Sequence, residues 1–215
     1  MSNPCGCPET PFDGGSASYR RALWWVIGIN AIMCIVEFTL GIRAQSQALQ
    51  ADALDFLGDT LTYSLSLYVV GMSVRARTLA SLLKGSSLAV MGFWVLGSSI
   101  YRILVLETPA FEVMGTIGFI ALVANLTSVA ILLRFKEGDA NVRSVWICSR
   151  NDAFGNLAVI LAAGGVWGLD SAWPDLLVAV VMASLFLSGA FSIIRQAVRE
   201  YRHEGRKRFP EVESG

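Results

Sequence analysis

Apolar residues run along this chain in long blocks separated by short polar connections. A helix needs roughly 20 mostly apolar residues to cross a bilayer. Six stretches meet that length: Leu23–Ile42, Leu49–Val70, Ser86–Leu106, Val113–Arg134, Ser144–Trp167 and Trp173–Ile194. No soluble domain fits between them. The pattern predicts an all-α membrane protein, a six-transmembrane-helix bundle over residues 20–195. Residues 1–19 read as a flexible cytosolic tail, polar and rich in Gly, Pro and Ser, without the apolar core of a signal peptide. The first membrane helix then serves as its own insertion signal. Residues 196–215 read as a short basic cytosolic tail with no C-terminal regulatory domain.

Composition supports this reading. Hydrophobic residues make up 54% of the chain and charged residues 16%, against about 25% charged in soluble domains. The formal net charge is zero, so no nucleic-acid partner is implied. The basic residues are unevenly placed. Arg20 and Arg21 precede the first span; Arg75, Arg77 and Lys84 separate the second and third. Arg134, Lys136 and Arg143 separate the fourth and fifth, and a cluster from Arg195 to Arg208 follows the sixth. Arg43 and Arg102 fall on the other side, and Arg150 within a span. The positive-inside rule then puts both termini in the cytoplasm of a bacterial-type inner membrane, with the basic tail against anionic lipid.

Within the apolar blocks stand charges that a bilayer penalises. The second span carries Asp52, Asp55 and Asp59, the first Glu37 and the fifth Asp152. Each carboxylate costs roughly 2.5–3.5 kcal/mol even on a lenient insertion scale, so these groups face the bundle interior and mark a functional site by default. Asp55 and Asp59 are four apart and share a helix face, and Cys148 and Asp152 repeat that spacing. Two helices offering two ligands each close a four-coordinate pocket suited to a Zn²⁺-like ion. A thiolate biases such a pocket toward Zn²⁺ and Cd²⁺ and away from Mg²⁺ and Ca²⁺. Other readings stay open. The two aspartates form a proton relay without metal, or Cys148 is only a small core residue. Asp52 caps the helix start or supports the neighbouring carboxylates, and Glu37 gates the pathway or bonds a neighbouring helix.

Asn125, Asn156 and the glycines at 92, 97, 115 and 118 fit helix packing. Cys5 and Cys7, one residue apart, form a short metal hook or sit idle in the tail; two thiols are an incomplete site. His203, the single histidine, lies in the charged tail and reads as solvated.

Two segments carry a family resemblance. Ser46-Gln47-Ala48-Leu49-Gln50-Ala51-Asp52-Ala53-Leu54-Asp55-Phe56-Leu57-Gly58-Asp59 resembles the second-helix signature of the cation diffusion facilitators. Cys148-Ser149-Arg150-Asn151-Asp152-Ala153-Phe154-Gly155-Asn156 is similar to their fifth-helix pair. Glu37, Asn125 and Trp173-Pro174-Asp175 match further features, so the resemblance spans about residues 20–200. It implies a homodimer that exports divalent metal in exchange for protons, with Asp55, Asp59, Cys148 and Asp152 as ligands. Glu37, Asp52, Asn151 and Asn156 would support the site or line the pathway. Two departures stand out. The family's cytosolic C-terminal domain has no counterpart, and the imidazole common in zinc-selective members is replaced by Asp55 and Cys148, which relaxes discrimination against Cd²⁺.

Exchange also follows from charge. A divalent cation and protons compete for the same carboxylates, so binding one expels the other. No permanent cofactor and no P-loop is implied, which argues against ATP drive. The rivals are a membrane metal sensor that does not transport, and an intramembrane aspartyl protease. The protease reading fails on motif: Phe56-Leu57-Gly58 lacks the first Gly of Gly-x-Gly-Asp, and Pro109-Ala110 is followed by Phe111.

Overall fold

Six long helices form nearly all of the chain that the computed structural model describes, residues 16–69, 74–105, 108–135 and 140–208. They are α1 (Ala17–Arg43), α2 (Gln47–Val69), α3 (Val74–Val105), α4 (Phe111–Leu132), α5 (Ala140–Leu169) and α6 (Trp173–Arg208). A 3-10 turn, Leu133–Phe135, follows α4. Each predicted span coincides with one helix, and the described residues contain no strand. The bundle is that of an all-α, multi-pass membrane protein.

Five of the six are long and apolar enough to cross a bilayer unaided, over Ala17–Arg43, Ser81–Leu104, Phe111–Phe135, Asp152–Leu169 and Trp173–Arg199. The exception is α2, which holds three aspartates. Its place in the bundle explains how it tolerates them. It packs against α1, α3, α5 and α6. It also contributes to all four apolar clusters, through Ala48 and Leu49, Tyr63, Ala51, and Phe56. Between Gln47 and Ala53 only Gln50 is less than fully buried. The other helices turn large apolar side chains outward, among them Trp24, Ile35, Phe93, Trp94, Phe119, Leu161 and Phe191. The bundle is therefore apolar toward lipid and holds its charges at the centre, the arrangement a bilayer requires.

Small residues set the helix spacing. A Cβ on Gly92 of α3 would lie 2.8 Å from Leu187 Cγ of α6, so these helices touch there at backbone distance. Gly118 of α4 meets Val159 and Ile160 of α5 similarly. The packing expectation fails at Gly97, which has open space beside it, while at Gly115 a side chain would meet only ordinary contact.

Two helices extend beyond the predicted spans. Because α3 begins at Val74, Arg75, Arg77 and Lys84 are helical rather than loop residues, and Lys84 lies inside the apolar stretch Ser81–Leu104. Helix α6 continues past Ile194 to Arg208. Its 36 residues span about 54 Å at 1.5 Å each, against about 30 Å of hydrocarbon, so most of the segment read as a tail is helical.

Candidate metal centre

The site depends on how α2 begins. Helix α1 ends at Arg43, and Gln45 takes a left-handed backbone, φ 59°, so that the chain reverses within three residues. Ser46 then caps α2, its Oγ accepting from Leu49 N–H at 3.0 Å. A second cap arrives from α6. Asp175 accepts from Ser46 Oγ at 2.6 Å, from Gln47 N–H at 2.7 Å and from Ala48 N–H at 3.0 Å. Its carboxylate thus sits on the positive end of α2 and satisfies backbone donors that the helix cannot. The guanidinium of Arg102 on α3 donates to Gln45 Oε1, and Ala110 N–H donates to Ala44 O at 3.0 Å. The α1–α2 turn is therefore held by α3, α6 and the start of α4.

Less than two turns into α2, Asp52 is fully buried. Asn156 of α5 donates to its Oδ2 at 2.7 Å, and Asn125 of α4 donates to Asn156 Oδ1 at 2.9 Å. All three are at most 2% exposed, so a polar chain crosses from α2 through α5 to α4 inside the bundle. Glu37 of α1, wholly buried, adjoins Asp52. Neither Glu37 oxygen has a partner of ordinary hydrogen-bond geometry among the described residues.

About one and two turns further along α2 come Asp55 and Asp59, both partly exposed. Each pairs with the carboxyl of Asp152 on α5. The register between α2 and α5 is antiparallel: Asp52 meets Asn156, while Asp55 and Asp59 meet Asp152 one turn earlier on α5. The Tyr63 hydroxyl donates to Asp59 Oδ2 from the next turn of α2, its ring buried in the cluster with Leu23, Val26 and Leu132. Lys84 of α3 is near enough to act electrostatically on Asp55 and Asp59.

The structure thus brings together Asp55, Asp59 and Asp152, and separately Glu37, Asp52 and Asn156. The side chains of Cys148 and Asn151, and all of Cys5 and Cys7, lie outside the described residues. Among the described residues no three His, Cys, Asp or Glu side chains already surround a common point as ligands of an ion do. The three aspartates are linked through Asp152 instead. Chemically they offer several carboxylate oxygens on two helices, donors of the kind that suit a divalent cation once ionised.

Sequence reasoning missed Tyr63 and Lys84 as neighbours of these groups, and Asp175 as the acceptor at the start of α2. Tyr63 was detectable by its four-residue spacing from Asp59. Nothing in the sequence linked Asp175 to Ser46, since 129 residues separate them.

Residues 23–200 match the cation efflux transmembrane domain family. The metal cation efflux system protein CzcD of Cupriavidus metallidurans is 23% identical over 193 residues, covering 83% of this chain and 60% of its own length. The cation efflux system protein CzcD of an Alcaligenes species matches with the same identity and coverage. The chain spans about 60% of the length of these curated relatives.

Proposed function

The chain belongs to the cation efflux family, the cation diffusion facilitators, and from that premise we propose that it exports a divalent metal ion across the membrane in exchange for protons. One observation carries the assignment to a site: Asp152 of α5 meets both Asp55 and Asp59 of α2 at the centre of the bundle. These carboxylates hold the ion, with Cys148, one turn before Asp152, as the fourth ligand. Oxygen donors with a single thiolate favour Zn²⁺ or Cd²⁺. The ion is cargo, and the activity is transport rather than catalysis.

Exchange follows from the donor set. Three carboxyls that meet inside the bundle are all ionised only with a cation among them, and otherwise hold protons. A divalent ion arriving from the cytosolic side displaces protons. Protons arriving from the opposite side displace the ion. Rocking of α2 against α5 then alternates which side has access. A pair of chains working as a homodimer in the lipid is the expected assembly.

Reconstitution tests the reading. Purified protein in liposomes with a metal-sensitive dye inside is given Zn²⁺ or Cd²⁺ outside and an imposed proton gradient. Metal flux that follows the gradient is the expected result. Flux equal to that of empty liposomes, with insertion verified, contradicts transport and favours the sensor.

A further inference from the structure

We propose that Glu37 and Asp52 form a proton-binding site separate from the metal ligands, which carries one of the protons exchanged. This rests on the antiport reading above and deepens it.

Glu37 is 0% exposed, and both its oxygens lack an ordinary hydrogen-bond partner among the described residues. Among the described residues an ionised carboxylate there has no solvent and only the Asp52 carboxyl beside it, which disfavours it until a cation supplies positive charge, whereas a neutral carboxyl can donate to Asp52. Asp52 differs. It is equally buried, but its Oδ2 accepts from Asn156 at 2.7 Å, and Asn156 is oriented in turn by Asn125. The pair is thus asymmetric, with a charged form supported on Asp52 and a proton required on Glu37. Two adjacent carboxyls sharing one proton behave in this way. The titratable groups acting on Glu37 are Asp52 and Asp55 of α2 and Cys34 of its own helix. From α4 and α5 the chain of Asn125 and Asn156 reaches only Asp52.

Placement supplies the coupling. Helices α2 and α5 each contribute to both levels: Asp52 with Asn156, and, one to two turns along α2 and one turn along α5, Asp55 and Asp59 with Asp152. A cation that draws α2 and α5 together at the aspartates changes the contact of Asp52 with Asn156 one turn off, about 6 Å along the helix. The Glu37 O–H bond breaks, the electron pair stays on the carboxylate, and the proton leaves to water as the cation brings positive charge to the neighbouring level. Its return accompanies release of the cation.

The test counts protons. Full-length protein in detergent is titrated with Cd²⁺ in weakly buffered solution with a pH indicator, and released protons are compared with bound Cd²⁺. Glu37→Gln is expected to bind Cd²⁺ within about threefold of wild type while releasing about one proton fewer per ion. Asp52→Asn, a second variant of unchanged size, is expected to act in the same direction and carries the test if Glu37→Gln fails to assemble. Proton release equal to wild type in both variants overturns the proposal and leaves the antiport reading standing. Loss of Cd²⁺ binding in both also overturns it, by placing these residues among the metal ligands. A wild type that binds Cd²⁺ without releasing protons contradicts the antiport reading itself.

Discussion

Asp175 at the start of α6 accepts a hydrogen bond from Ser46 Oγ at 2.6 Å and from two backbone N–H groups of α2. The helix that holds the candidate metal ligands is therefore anchored at one end by a residue from the far end of the sequence. The Ser-x-Ala-Leu start of α2 gains a physical reason. Ser46 caps the helix and donates to Asp175, and Ala48 and Leu49 pack into the cluster with Met114 and Val159.

Replacing Asp175 should be costly. Asp175→Ala leaves Ser46 and two buried N–H groups without their acceptor, and unpaired buried donors cost about 1–3 kcal/mol each. Ser46→Ala removes one cap, worth about 1 kcal/mol. Unfolding in detergent should therefore show Asp175→Ala less stable than Ser46→Ala by at least about 1 kcal/mol. Equal stabilities would show that the anchor contributes little.

The polar chain makes a graded prediction. Asn156→Ala removes the donor to buried Asp52 and also leaves Asn125 without its acceptor. Asn125→Ala removes only the outer link. Asn156→Ala should destabilise by about 2–4 kcal/mol and Asn125→Ala by about 1 kcal/mol, since an unpaired buried acid is the larger penalty. Denaturation of both variants in matched micelles checks the order.

Tyr63→Phe keeps the buried ring and deletes the hydroxyl that orients Asp59. Partners one step removed from a metal typically support affinity by about 10–100-fold. Cd²⁺ affinity should fall about 10-fold or more with the fold intact. Unchanged affinity would argue that Asp59 does not ligate the ion.

Gly92→Val should force α3 away from α6, because a side chain there runs into Leu187, and overpacking of this kind costs about 1–3 kcal/mol. Gly97→Val, beside open space, should leave stability unchanged within about 0.5 kcal/mol. Thermal unfolding of the two proteins separates them.

The helices were legible in the sequence because hydrocarbon thickness fixes their length, and blocks such as Leu23–Ile42 and Trp173–Ile194 declare it. The ends were not. Lys84 reads as lying between the second and third spans, yet it belongs to α3 and acts electrostatically on the aspartates of α2. Spacing placed Asp55 and Asp59 on one face and suggested a shared pocket with Asp152, but it fixed no contact between them. Nor did it show that Asp52 would be held by Asn156 rather than join them. Those relations depend on the register between α2 and α5, which a single sequence does not carry. Asp175 was visible only as part of a similar segment; its role is a contact across 129 residues.

We propose that the aspartates shared by α2 and α5 hold the transported ion. Equilibrium binding of Cd²⁺ to purified wild type, Asp55→Ala, Asp59→Ala and Asp152→Ala tests it most directly. Saturable binding by the wild type and at least a hundredfold weaker binding in each variant, about 2.7 kcal/mol or more, are expected. Binding that survives all three substitutions at wild-type affinity would contradict it and move the site elsewhere in the chain.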